Sequence, residues 1–84
     1  YVTDKDEEMA AVRPSHRAFN GRLADEGRLL AAGPYVGTHD ALIVVRADDE
    51  AGALALLEED PFHQAGYINE RIPREWNPVI GVLA

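Results

Sequence analysis

His16 is the residue around which any chemistry in this 84-residue chain has to be built. It stands in the run RPSHRAFNGRLADEGRLLAAGP, residues 13 to 34, three residues after Arg13 and three before Phe19. Val12, His16, Phe19, Leu23 and Ala24 recur at the spacings of an amphipathic helix, on the stripe such a helix turns toward its core. A histidine there is either a buried imidazole bonded to a backbone carbonyl or a general base facing a pocket. Pro14 suits the first helical position, where its missing N–H costs nothing, so the helix is expected to begin at Arg13–Pro14. His16 would then lie in the first turn, beside unpaired N–H groups and the positive end of the helix dipole. That end and the Arg13 charge both oppose an imidazolium and favour the neutral ring a base requires.

The second informative patch is DPFHQAG, residues 60 to 66. Asp60 closes the acidic run EED and precedes a proline, so its backbone must leave the helical region. Its carboxylate either turns inward to orient an imidazole or caps and fixes the local loop. Phe62 reads as core, and His63 as a second pocket histidine or a surface residue. Arg13 either binds an anionic group on a small ligand or pairs with a surface acid. Gly33–Pro34 makes a tight exit from a strand, where glycine lets backbone approach a ligand closely or simply forms a turn. His39 and Asp40 sit in the following loop, as a lid or with no role.

Other chemistries find little support. There is no cysteine, and Ser15 next to His16 does not form a nucleophile elbow, which argues against a covalent hydrolase. No glycine loop of the phosphate-binding kind occurs. His16, His39 and His63 lack close metal-ligand spacing, so no metal site is expected. Fifteen acidic residues against eight basic ones give a net charge of −7, a field that repels phosphate backbones and anionic lipid. Neither nucleic acid nor membrane is therefore an expected partner. No run approaches the ~20 apolar residues of a membrane span, and there is no signal-peptide core. Absence of cysteine accords with an expected cytoplasmic location.

The elements that would position these residues follow from periodicity and breakers. Tyr1–Thr3 reads as the tail of a strand and Asp4–Glu8 as a solvated connection. The first helix should end near Gly27. RLLAAGP is a short strand, and ALIVVRA is a nearly continuous apolar strand. Asp48 is the expected cap of a second helix over DEAGALALLEED, stopped by Pro61, with Ala51, Leu54, Ala55 and Leu57 facing inward. YINERI alternates as a fourth strand, PREWNP is irregular, and VIGVLA offers a short closing strand. Residues 1–84 thus make one α+β domain in the ferredoxin-like βαββαβ order, with a four-stranded antiparallel sheet and both helices on one face. ALIVV is apolar on both sides, so the other face also needs cover, and a second copy packing sheet to sheet would supply it. A chain this short buries only ~60–65% of its unfolded surface, a further reason to expect a homodimer.

RPSHRAF, EGRLLAAGP and EEDPFHQAGY, in this order and spacing, resemble the YciI-like (YCII-related) family. The resemblance runs from about Arg13 to Ile72. It implies a dimeric α+β barrel of ferredoxin-like protomers, and similarity to small cofactor-independent isomerases and lyases, among them a dehydrochlorinase of a chlorinated hydroxyhydroquinone. The family's histidine–aspartate pair falls by motif on His16 and Asp60. Two departures stand out. Many relatives carry a DG in the loop after GP, whereas Asp40 is followed here by alanine. Relatives also have several residues ahead of the position of Tyr1, so the first strand is expected to be truncated.

The combined expectation is a small enzyme moving a proton on a small, aromatic or carboxylated molecule, with no cofactor. His16 would be the acid/base and Asp60 its orienter. Arg13 would meet an anion, and Gly33, Pro34 and His63 would complete the substrate wall. The competing expectation is a module that binds a small ligand or dimerises without turnover.

Overall fold

The computed structural model describes residues 1–84 as an α+β unit with three helices and one two-stranded antiparallel sheet. The order is α1 (Asp6–Asp25), β1 (Leu29–Pro34), β2 (Ala41–Val45), α2 (Glu50–Leu57) and α3 (Pro61–Gln64).

Helix α1 begins two turns earlier than the proline implied. Asp6, Glu7 and Glu8 fill its first turn, where carboxylates complement the dipole. Met9 is buried seven residues before His16, so the inward stripe continues through the acidic stretch. Pro14 therefore sits inside the helix rather than at its start. The far end stops as the sequence implies. Gly27 adopts φ +76°, a left-handed conformation open to glycine. Gly27 N–H donates to the Ala24 carbonyl at 3.0 Å and Arg28 N–H to the Leu23 carbonyl at 2.9 Å, the paired bonds of a Schellman stop.

Strands β1 and β2 pair from Leu29↔Val45 to Pro34↔Ala41, with an irregularity between Leu29 and Ala31. In the connecting loop Gly37 takes φ +77°, and Tyr35 N–H donates to the Asp40 carbonyl at 2.9 Å. Helix α2 is capped by Asp49 rather than Asp48; the Asp49 carboxylate accepts from Gly52 N–H at 2.7 Å. The helix ends at Leu57, which is buried, whereas Ala51 and Ala55 are exposed. Pro61 does more than stop a helix: it opens α3 at a position where no N–H is needed.

The segments expected as first and fourth strands lie beside each other without forming a ladder. Val2 N–H donates to the Tyr67 carbonyl at 3.0 Å, and Asn69 Nδ2–H to the Tyr1 carbonyl at 3.5 Å. One backbone rung does not make a strand. Residues 80–83 form a bend and a turn, and no closing strand forms over 79–84.

Phe19, Leu23, Leu29 and Leu57 form the core, with Ile43, Val45 and Leu56 packed against it. The core thus ties α1, the hairpin and α2 at one level, and it leaves the middle of α1, at His16, to be packed by α3. Phe19 is 4% exposed. Phe19→Ala is expected to cost ~3–5 kcal/mol, most of the stability of so small a unit, measured as a lower urea midpoint at unchanged slope.

Candidate functional site

Asp60 and the four-residue helix it starts position the site. Asp60 is the N-cap of α3, with its backbone at φ −58°, ψ 126°, and its Oδ1 accepts from Phe62 N–H at 2.9 Å. The same oxygen accepts from His16 Nδ1–H at 2.7 Å. Capping a helix and orienting an imidazole, the alternatives the sequence leaves open for Asp60, are therefore joined in one atom. Asp60 is fully buried and His16 is 9% exposed.

The cap also places Phe62. Its ring stacks on His16 with centroids 4.0 Å apart and planes within 4°. Tyr1 meets both rings edge-on, at 6.3 Å from His16 and 5.6 Å from Phe62. The imidazole is thus gripped on its face by one aromatic ring, at an edge by another, and through Nδ1 by a carboxylate. With Nδ1–H committed to Asp60, Nε2 is left as the acceptor. Asn20, one turn along α1, brings Nδ2 to 3.4 Å from it. This is a long, weak contact.

His16 does not lie at the N-terminus of its helix. Its place in the middle of α1 puts it well beyond the turn over which the positive helix end acts. What conditions the ring is the partner at Nδ1 and the aromatic packing.

The remaining candidates are placed as follows. Arg13 is partly buried and makes no ion pair, though its charge acts on Tyr1. Gly33 and Pro34 are exposed and pair with Leu42 and Ala41 across the hairpin. His63 is exposed on α3. His39 approaches Asp6 at 3.6 Å on the surface. None of these side chains joins His16 and Asp60 in a contact. A groove of about 300 Å³ runs between α1 and β1, lined by Arg17, Asn20, Gly21, Ala24 and Leu29–Ala32. His16 is not in its wall, and Gly33 and Pro34 lie beyond its end. Asn20 belongs both to the groove and to the His16 contact.

Three residues at the site were not anticipated. Asn20 carried a readable signal, being four residues from His16 on the same helix. Arg71 brings Nη2 to 3.6 Å from Asp60 Oδ2. In YINERI it reads as one polar position of an alternating strand, and nothing local distinguishes it. Tyr1 reads as a strand residue, and only the fold places it against His16.

The family model of the YCII-related domain matches residues 1–77. No curated protein matches the chain significantly.

Burial raises the Tyr1 phenol above its ordinary value of 10.0, the Asp60 charge adds to the rise, and Arg71 and Arg13 oppose it. The folded chain therefore holds this proton at pH values where the unfolded chain releases it. Its contribution to stability is complete below about pH 10 and is lost as pH rises through the folded value. Thermal unfolding of wild type and Tyr1→Phe across this alkaline range checks the effect: the wild type should lose stability more steeply than the variant.

Proposed function

Since the chain belongs to the YCII-related domain family, we propose that it is a small cofactor-independent enzyme in which His16 and Asp60 transfer a proton on a small carboxylated or aromatic molecule. The observation that carries this reading is the buried bond from His16 Nδ1–H to Asp60, which leaves Nε2 as the basic nitrogen of the ring, in long contact with Asn20, a residue that also lines the α1–β1 groove. In this arrangement Nε2 accepts a proton from a carbon made acidic by a neighbouring carbonyl or carboxyl group. Asp60 stabilises the imidazolium as it forms, in a setting where a fixed carboxylate acts strongly. In an elimination, the C–H electron pair becomes the new double bond and the leaving group departs with its own pair. In an isomerisation, the ring returns the proton to a different carbon.

Incubation in D2O with a panel of small carboxylated and aromatic compounds tests the proposal through loss of C–H proton signals. His16→Ala is expected to slow that exchange at least ~100-fold. Equal exchange by wild type and variant with every compound would sink the catalytic reading. A second reading, a binding module without turnover, is favoured by the low exposure of His16 and its absence from the groove wall. Saturable binding of a panel member with no exchange would support it.

The architecture proposed for the working protein is a homodimer in which two sheets pack as an α+β barrel. The Tyr1–Thr3 and Tyr67–Ile72 segments would then complete a four-stranded ferredoxin-like sheet. In support, Leu42 is half-exposed on β2, and Ile72, Trp76, Val79, Ile80 and Val82 are exposed beyond α3. A lone two-stranded hairpin is also marginal in water. Sedimentation velocity should give twice the 9.2 kDa chain mass, and a single species at 9.2 kDa across micromolar concentrations would refute the dimer.

A further inference from the structure

Arg71 is the buried cation of this site, and no step described so far uses it. Its side chain is 15% exposed, yet Nε and Nη2 are buried and make no hydrogen bond. Opposite them lies Asp60 Oδ2, buried and likewise without a hydrogen-bond partner. Nη2 and Oδ2 stand 3.6 Å apart, close enough for charge attraction and slightly too far for a hydrogen bond. Asp60 thus has two differently employed oxygens. Oδ1 takes both conventional bonds, from His16 and from Phe62, and Oδ2 faces only the guanidinium.

We infer that Arg71 is a positioning residue for the pair: its permanent charge, held against Oδ2, fixes the carboxylate so that Oδ1 is presented to His16 Nδ1–H. The inference rests on the reading of His16 and Asp60 as the working pair, and it names what keeps that pair in register. A carboxylate can rotate about its Cβ–Cγ bond and offer either oxygen. Phe62 N–H alone constrains one oxygen without choosing where the other points. A guanidinium cannot lose its charge in a protein and presents several donors in one plane, so it selects an orientation rather than merely a distance. The same two charges bear on the Tyr1 phenol, which burial and Asp60 raise and Arg71 lowers. Arg13 also bears on Tyr1 but is not in contact with Asp60. The arginine that the pair depends on is therefore the one near the end of the domain rather than the one beside His16 in sequence.

The ring nitrogens of His16 give the test, because they report tautomer and bonding directly. Two-bond ¹H–¹⁵N spectra near neutral pH should show wild-type His16 predominantly with the proton on Nδ1. In Arg71→Gln, which keeps much of the length and some donors but no charge, that preference should weaken about tenfold, within the range for one charge pair at this separation. Arg71→Lys should recover part of it, since the charge is kept and the planar fork is lost. A purely structural arginine would lower the unfolding midpoint in both variants while leaving the His16 pattern as in wild type, and that result would overturn the inference. Should neither variant fold, the wild type decides alone. The Arg71 Nε–H signal should exchange with solvent far more slowly than those of exposed arginines, and equal exchange would overturn the inference. These outcomes do not depend on turnover, so loss of the catalytic reading and loss of this one are distinguishable.

Discussion

One oxygen atom, Oδ1 of Asp60, holds this structure's most specific arrangement together. It accepts from the His16 ring at 2.7 Å and from the Phe62 backbone at 2.9 Å. Moving a carboxylate out of water costs several kcal/mol, so such a group is tolerated only where bonds to its charged form offset the loss. Two hydrogen bonds to a charged acceptor, each worth ~1.5–3 kcal/mol, together with a nearby guanidinium are of that order. The consequence is mutual dependence. The cap of α3, the seating of Phe62 on His16 and the orientation of the imidazole stand or fall as one unit.

That dependence explains why a four-residue helix is present at all. Isolated helices of this length do not persist, because nucleation costs more than a single turn returns. Helix α3 persists because Pro61 fixes its first residue, Asp60 satisfies its donor, and Phe62 is 3% exposed between His16 and Tyr67. Its function is placement: it carries a carboxylate and an aromatic ring to the middle of α1, where the main core does not reach. The main core of Phe19, Leu23, Leu29 and Leu57 meanwhile fixes α1 against the hairpin, and so fixes where His16 can be met.

Much of this was legible because it rested on short-range rules. His16 is inward because it shares the spacing of Phe19 and Leu23, and Gly27 ends α1 through a conformation that glycine adopts freely. Phe62 reads as buried from the DPF order, whereas Asp60 stays open there between cap and imidazole partner, two contacts that the fold places on one oxygen. The start of α1 differs from the one Pro14 implies, because proline's commonest helical place is the first turn, whereas here the acidic residues Asp6–Glu8 and buried Met9 precede it in the helix. The cap of α2 falls on the second residue of the Asp48–Asp49 pair, a distinction carried by backbone geometry rather than by residue type. Arg71 and Tyr1 were not legible. Both reach the site through the return of the chain past α3, and no periodicity encodes a contact made across the fold.

The proline inside α1 has a mechanical consequence. Lacking an N–H, Pro14 leaves the Ala10 carbonyl without its helical donor, so a seam crosses α1 between its acidic first half and the half that carries His16. The Lys5 end has no side-chain cap and is the natural place for fraying to begin. An opening that travels inward from there meets the missing rung before it meets the imidazole. Helix α1 is one rod in shape but two segments in cohesion, and the site lies on the segment that is clamped at both ends, by α3 on one side and by the Gly27 stop on the other.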